Sequence, residues 1–256
     1  MDTQTEAPGG PEQAKRPRSI YAQLPEAFAY PFRGMGWAVL AAGAVCFWVL
    51  NALLAFPSSG YFGIFKLLLA IGIGGYLCAY MIRIIGSSAD GREELPDWPE
   101  LTNFWDDILR PLLLVISTAL FSFLPLIVHV LSFAWSAPGD ATYPRDALYW
   151  LCLGWGLMYL PMALIAVALF DSFMALNPLV VIGGILKTLP AYLFAAAIFF
   201  VCYFVSAWVK ELISAAVPVV GSLIAGAVAL YFLMVEMHVL GLLYNTHAKR
   251  LGWFER

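Results

Sequence analysis

Long apolar runs separated by short polar stretches make up most of this chain. A helix rises about 1.5 Å per residue, so crossing a bilayer hydrocarbon core about 30 Å thick takes about 20 apolar residues. Runs of about this length lie at approximately 34–56, 61–85, 111–135, 147–170, 191–209 and 219–243. The pattern predicts an all-α fold, a polytopic membrane helix bundle of about six transmembrane helices accompanied by interfacial amphipathic helices.

The largest polar stretch lies between the second and third runs, at residues 83–110. It contains ten of the chain's 31 charged residues, which are 14 basic plus 17 acidic. Its second part has apolar residues at helical spacing, and its tryptophans favour the headgroup level of a membrane. We therefore predict an interfacial helix at 97–110 and expect residues 87–110 to contact either lipid headgroups or a protein partner. The candidate interface residues are Trp98, Leu101, Trp105 and Asp107.

Two local features of this stretch bear on its structure. Residues 87–94 are polar and contain turn-forming residue types, which indicates a loop after the second span. Asp106 and Arg110 are four residues apart, a spacing at which opposite charges on a helix form an ion pair. The stretch is thus predicted to be a loop followed by an amphipathic helix that enters the third span.

Four further segments are too polar or too short to span. Residues 1–18 are predicted to form a disordered cytoplasmic tail, and residues 19–33 an interfacial helix or, equally well, an aromatic-rich linker. Residues 178–189 contain an apolar piece too short to span, so they are interfacial, re-entrant or the first part of a kinked fifth span. Residues 244–256 are predicted to be a cytoplasmic tail.

The distribution of basic residues predicts the orientation. With both termini in the cytoplasm, eleven of the 14 Lys and Arg residues lie on the cytoplasmic side, and the other side holds only Lys66, Arg145 and Lys210. Cytoplasmic loops of membrane proteins carry such an excess of positive charge. We expect a multi-pass protein of the inner (cytoplasmic) membrane with its N and C termini in the cytoplasm.

Composition excludes an ordinary water-soluble domain. The chain is 62% hydrophobic and 12% charged, whereas soluble domains have about 45–50% apolar and about 25% charged residues. The lipid bilayer is therefore the expected partner. The net charge of −3 gives no basic surface for nucleic acid. The four cysteines lie in four different apolar runs, which indicates helix packing and neither disulfides nor a metal site.

Polar groups inside the apolar runs are the candidates for function, because a charge at a helix centre costs about 2.5–3.5 kcal/mol on insertion scales. Six such groups lie toward the cytoplasmic leaflet under the predicted topology. The candidate intramembrane polar cluster comprises Glu236, His238, Asp171, Lys187, Arg83 and Asn177. Their placement in one leaflet is compatible with a charged cytoplasmic vestibule of a transporter. The simpler interpretation is that they snorkel or pair at helix ends.

Two stripes of small residues recur every four positions in the first and last runs. They are Gly34, Ala38 and Ala42, and Gly221, Ala225 and Ala229. Small side chains allow another helix to approach closely and to pack by van der Waals contact. Packing within the monomer is the first interpretation, and contact between copies in an oligomer is the second.

Sequence signatures of enzymes are absent. The chain has no His-Glu-x-x-His, no Gly-x-Ser-x-Gly, no phosphate-binding glycine loop and no Cys-x-x-Cys. We expect no catalytic residue, no cofactor and no metal. The prediction is a non-enzymatic scaffold or accessory subunit. The alternative is a small-solute or ion transporter or channel with a charged vestibule on the cytoplasmic side.

Several short motifs resemble one group of multi-pass proteins. They are Gly75-Tyr76 with Arg83 at the helix end, Gly91-Arg-Glu-Glu-Leu-Pro-Asp-Trp98, Ala175-Leu-Asn-Pro178, and Leu240-Gly-Leu-Leu-Tyr244 followed by Leu251-Gly-Trp-Phe254. The chain resembles the bacterial and archaeal membrane proteins grouped as domain-of-unknown-function family 4013 over about residues 28–254. The resemblance implies a membrane fold and location, and it gives no residue a role.

Overall fold

Every regular secondary-structure element in the described part of the chain is a helix. The computed structural model describes residues 20–55, 61–97, 102–136, 145–216 and 220–254, and it contains no β-strand in these ranges. The helices are α1 (Ile20–Ala29), α2 (Gly36–Ala55), α3 (Tyr61–Ala89), α4 (Arg110–Ser122), α5 (Leu124–Ser136), α6 (Ala147–Phe170), α7 (Pro178–Lys187), α8 (Leu189–Ala216) and α9 (Val220–Leu251). Short 3-10 turns lie at Tyr30–Phe32 and Phe173–Leu176, and a π-helical turn lies at Trp105–Leu109.

Four of these helices are long and apolar enough to cross a membrane, which supports a multi-pass membrane protein. The qualifying segments are Gly63–Ala89 in α3, Ala147–Phe170 in α6, Leu189–Ile213 in α8 and Gly221–Leu251 in α9. The all-α membrane fold class is thus confirmed, but the count of six spans is not. Among the described residues there are four, or five if α4 and α5 form one span.

The third predicted span is broken in the structure. Its two parts, Trp105–Ser122 and Leu124–Trp135, are bent by 65°. Pro125 has no N–H to donate to the carbonyl of Phe121, so the helix does not continue unchanged through this point. The first predicted span corresponds to α2, Gly36–Ala55, within which Gly36–Cys46 is a shorter apolar helix among the residues searched for spans.

Helix α9 lies at the centre of the bundle. It packs against α8, α3 and α2, and also against α1, α6 and α7. Every residue from 234 to 244 is buried, as expected of a helix that is apolar all round. The helix continues to Leu251, so the first part of the predicted tail at 244–256 is helical and packed.

Close contact between α9 and α3 depends on Gly241. A Cβ atom at this position would lie 2.6 Å from the carbonyl oxygen of Ile85 and 2.4 Å from the Cβ of Ser88. Ser88 is part of α3, which extends to Ala89. The loop predicted at 87–94 therefore begins later than expected, because the last turn of α3 packs on α9.

The two small-residue stripes have different surroundings. A Cβ atom on Gly221 would lie 2.7 Å from the carbonyl oxygen of Ile213 in α8, and Ala225 is buried. This second stripe therefore packs within the monomer. In the first stripe Gly34 precedes α2, and both Gly34 and Ala42 are exposed.

The short segments outside the long helices are also helical. Helix α1 and the turn after it occupy the predicted interfacial segment at 19–33 from Ile20 onward. The segment at 178–189 contains the ten-residue helix α7, which ends at Thr188, and α8 follows at once. Helix α7 is separate from α8, and its placement as interfacial, re-entrant or part of the fifth span stays a prediction.

We expect Gly241→Ala to lower the melting temperature of the purified protein in detergent. The added methyl group has no room between α9 and α3, and overpacking of this kind costs about 1–3 kcal/mol. Gly154→Ala is the control, since its Cβ would meet no atom within 4 Å, and it should leave the melting temperature unchanged or raise it. Equal melting temperatures for the two variants would contradict the close α3–α9 contact.

Candidate functional site

Two ionisable side chains are buried in the middle of α9. Glu236 is 5% exposed and His238 is 4% exposed. Two residues of an α-helix correspond to a rotation of about 200°, so the two side chains leave the helix on opposite faces. They belong to two separate environments.

His238 faces α3 and the turn that follows α1. Its Nδ1 atom and the Oγ atom of Ser88 form a buried hydrogen bond of 2.7 Å. The ring of Tyr30 stacks on the imidazole with 3.7 Å between ring centroids and 9° between planes. The three residues join the N-terminal turn, the end of α3 and the middle of α9 at one point.

The hydroxyl of Tyr30 extends this contact toward the polar segment. It interacts with Ser88 and donates to the carbonyl oxygen of Glu94 at 3.5 Å. Burial raises the pKa of Tyr30 to about 12, so the phenol stays neutral and remains a hydrogen-bond donor at physiological pH. The buried contacts on α9 are therefore linked to the segment that follows α3.

Residues 90–97 form a polar segment that is attached to the bundle at several points. Asn245 of α9 donates its side-chain N–H to the carbonyl oxygen of Ala89 at 2.9 Å. Arg33 donates to the carbonyl oxygen of Glu93 at 3.4 Å and lies 3.8 Å from its carboxylate. Gly91 has a φ of +80°, a backbone conformation that glycine adopts without steric cost. These contacts position the polar segment relative to α9.

A polar cleft of about 720 Å³ lies between the end of α3 and the polar segment. It is lined by Arg83, Ser87, Asp90, Arg92, Glu93, Glu94, Leu95, Pro96 and Asp97. Four acids and two arginines give this lining a formal charge of −2. The hydroxyl of Ser87 is buried and has no hydrogen-bond partner among the described residues. The cleft thus offers both signs of charge and an unsatisfied hydroxyl.

Glu236 faces α8 on the other side of α9. It is close enough to Cys202 to interact with it electrostatically. It does not line the polar cleft. A buried carboxyl group is energetically costly unless it is compensated, which makes Glu236 a candidate for function in its own right.

The structure does not bring the six predicted polar residues into one cluster. Asp171 ends α6 and pairs with Arg110, which donates to its carboxylate at 2.8 Å and to its carbonyl oxygen at 2.7 Å. Lys187 donates to the carbonyl oxygen of Leu251 at 2.8 Å. Arg110 and Lys187 thus each donate to a backbone carbonyl oxygen at a helix end, where such oxygens have no partner within their own helix.

The remaining members of the predicted cluster also lie apart. Asn177 caps α7 by accepting the N–H of Leu179 at 2.9 Å, and Arg83 lines the polar cleft. Arg110 binds Asp171, so the Asp106–Arg110 ion pair expected from spacing does not form. Asp171 has a φ of +47°, and Arg110 holds both its carboxylate and its carbonyl oxygen.

The predicted interface residues are described only in part. Trp98 and Leu101 lie outside the described residues. Trp105 is 54% exposed. The carboxylate of Asp107 accepts the backbone N–H groups of Thr102 and Asn103, each at 2.7 Å, so it is engaged by its own chain.

The π-helical turn at Trp105–Leu109 packs tightly on α3. A Cβ atom on Gly75 would lie 2.5 Å from the carbonyl oxygen of Ile108. Extra residues within a helical turn are frequent at functional sites. Here the turn, which lies within the predicted interfacial helix at 97–110, brings Ile108 against Gly75 of α3.

Sequence reasoning missed Tyr30 and Ser88 as site residues. Tyr30 lies in the predicted interfacial segment and Ser88 in the predicted loop. The Ser88–His238 bond joins residues 150 positions apart, and no local pattern predicts such a contact. The polar loop prediction alone pointed to the neighbourhood of Ser88.

Comparison with protein families, with functionally characterised proteins and with solved structures gives no match for this chain. Among the described residues, no group of three or more His, Cys, Asp or Glu side chains is arranged to hold a metal ion.

We expect Ser88→Ala to lower the melting temperature in detergent, because it leaves the ring nitrogen of buried His238 without its partner. An unsatisfied buried group of this kind costs about 1–3 kcal/mol. Ser87→Ala is the matched control, since it removes a buried hydroxyl that has no partner among the described residues. It should be neutral or stabilising. A loss as large in Ser87→Ala as in Ser88→Ala would contradict this assignment.

Proposed function

We propose that the chain is a non-enzymatic integral protein of the inner membrane that acts as a scaffold or accessory subunit. Its contact surface for a protein partner is the stretch at residues 87–110. The observation that carries the proposal is the attachment of the polar segment 90–97 to the bundle. Tyr30 and Arg33 hold it from the N-terminal turn, and Asn245 holds it through Ala89 at the end of α3. A positioned surface of this kind suits recognition.

The exposed part of this surface combines aromatic and charged groups. Phe104 and Trp105 are 58% and 54% exposed, and Asp106 beside them is also exposed. Aromatic residues dominate the binding energy of many interfaces. Under the proposed topology of six spans with both termini in the cytoplasm, these side chains lie at the cytoplasmic boundary of the membrane. Membership of the resembled family of unknown function is part of the same proposal.

Transport is the second candidate function, and Glu236 is the observation that favours it. An acid buried in a membrane helix is by default a candidate for ion or proton passage. The other residues that a charged pathway would use are engaged elsewhere, Asp171 by Arg110 and Lys187 by Leu251. The geometry therefore supports the scaffold more strongly than the transporter.

The contact surface is tested by a double variant, Trp105→Ala with Asp106→Lys. We expect it to reduce cross-linking to the partner in native membranes by about thirtyfold, since loss of a central aromatic contact costs about 2 kcal/mol. Trp208→Ala with Lys210→Glu is the control. It alters an exposed tryptophan and a nearby exposed charge on α8, at the opposite membrane face under the proposed topology. Mass spectrometry of the cross-linked proteins gives the measurement. Equal cross-linking of the two double variants to the partner would contradict the proposal that residues 87–110 form the contact surface.

The transport alternative is tested by proton flux in proteoliposomes under an imposed potassium diffusion potential. For a scaffold we expect the wild-type protein to carry no flux above that of empty liposomes, and Glu236→Gln to behave identically. Glu211→Gln, an exposed acid on α8, is the control. Protein-dependent flux that is lost only in Glu236→Gln would favour the transporter over the scaffold.

A further inference from the structure

A second cavity, almost entirely apolar, lies between α2, α3 and α9. This apolar groove has a volume of about 370 Å³. It is lined by Val39, Gly43, Cys46, Leu68, Leu69, Gly72, Ile73, Tyr76, Leu77, Tyr80, Ile108 and Leu230. A Cβ atom on Gly72 would meet no atom within 4 Å, so the groove has free space beside this residue.

The apolar groove and the polar cleft follow one another along the same face of α3. Gly72, Tyr76 and Tyr80 line the groove, and Arg83 and Ser87 line the cleft. Spacings of three and four residues place these side chains in one row. Arg83 interacts electrostatically with Tyr76, so the two cavities are neighbours in space as well as in register.

The length of this row matches one leaflet of a bilayer. From Leu68 to Arg83 the helix rises about 22 Å, and from Gly72 to Arg83 about 16 Å. Half of a bilayer's hydrocarbon core is about 15 Å thick. An acyl chain lying in the groove would therefore bring its headgroup to the level of the cleft.

The cleft has the chemistry of a receptor for a headgroup that carries both charges. Arg83 and Arg92 form no ion pair with a described residue, and guanidinium groups bind phosphate through paired hydrogen bonds. Asp97 and its acidic neighbours supply the opposite charge at the same site. Ser87 is 8% exposed, lines the cleft, and has a hydroxyl without a partner among the described residues.

We propose that the groove and the cleft together form a binding site for a glycerophospholipid with an amine-bearing, zwitterionic headgroup. One acyl chain lies in the apolar groove beside Gly72. The phosphate binds Arg83 beside Ser87, and the ammonium group lies among the acids of the polar segment. The net formal charge of −2 in the cleft disfavours a headgroup that carries only negative charge.

The site does not depend on the proposed scaffold function, since a transporter with the same cavities would bind the same lipid. The test accordingly uses the purified full-length chain and needs no partner protein. Failure of lipid binding and failure of the partner cross-linking are thus separate results.

The experiment measures the lipid retained by the protein after purification in mixed micelles of equimolar phosphatidylethanolamine and phosphatidylglycerol. Mass spectrometry of the intact complex should give one retained phosphatidylethanolamine per chain, enriched about tenfold over phosphatidylglycerol, as expected for one charge-assisted contact. Arg83→Gln should lower retention about tenfold for the same reason. Because Arg83 is exposed, this variant leaves the buried core intact.

Gly72→Leu tests the groove separately. The leucine side chain would occupy the space of the acyl chain, and forcing both into the groove should cost about tenfold in retention. Gly154→Leu is the control, because its Cβ also lies in open space and it lines neither cavity. It should retain lipid like the wild type, and all variants should keep the wild-type melting temperature in lipid-free detergent.

Three results would overturn the proposal. The first is unchanged retention in Gly72→Leu, which would show that no chain occupies the groove. The second is equal retention of phosphatidylglycerol and phosphatidylethanolamine, which would remove the role of the ammonium group. The third is displacement of the lipid by glycerophosphoethanolamine at equal concentration, which would show that the headgroup binds without the groove.

Discussion

Burial of the middle of α9 is the constraint on which the rest of this structure depends. Its residues from 234 to 244 have no exposed face, so a polar side chain in or next to this part is stabilised only by a partner within the protein. His238 finds Ser88, and Asn245 finds the carbonyl oxygen of Ala89. Tyr231, one turn before Met234, donates to the carbonyl oxygen of Phe28. These bonds fix α1 and α3 against the central helix.

The same bonds position the polar segment. Tyr30 stacks on His238, and its hydroxyl contacts the backbone of Glu94. The buried His238 is therefore linked through Tyr30 to the charged segment that contains Glu94. Because the segment is attached to a buried helix, its charged groups and the cleft below them keep a defined geometry. A defined surface of this kind favours recognition of a partner or a lipid headgroup over a freely moving loop.

Most charged residues near the helix ends serve packing between neighbours. Arg110 holds Asp171 at the end of α6, and Lys187 binds the last residue of α9. His129 and Asp146 pair at 3.2 Å between α5 and the start of α6. In a bilayer such groups have few other partners, so they satisfy one another and the free carbonyls of helix ends. Arg83, Ser87 and Glu236 stand apart from this pattern, and they carry the functional proposals.

The sequence by itself determined the fold class and the membrane setting. Long apolar runs need lipid around them, and the length of a run decides whether a helix spans, as the ten-residue helix α7 shows. Asn177 was predicted as a member of the intramembrane polar cluster, and its role as the cap of α7 was not predicted. The length and composition of one apolar run are local properties, so the hydrophobicity along the sequence is enough to identify them.

Only the tertiary structure decided which helix lies at the centre, how far α4 and α5 bend, and which polar groups meet. Spacing predicted that Arg110 would pair with Asp106, yet the end of α6 brings Asp171 closer. The polar stretch at 83–110 was recognised from its charge alone, but its first predicted loop residues, 87–89, belong to α3 and are buried. Ser88 and His238 meet across 150 positions, and contacts at that separation depend on how whole helices pack, which no local pattern of residues encodes.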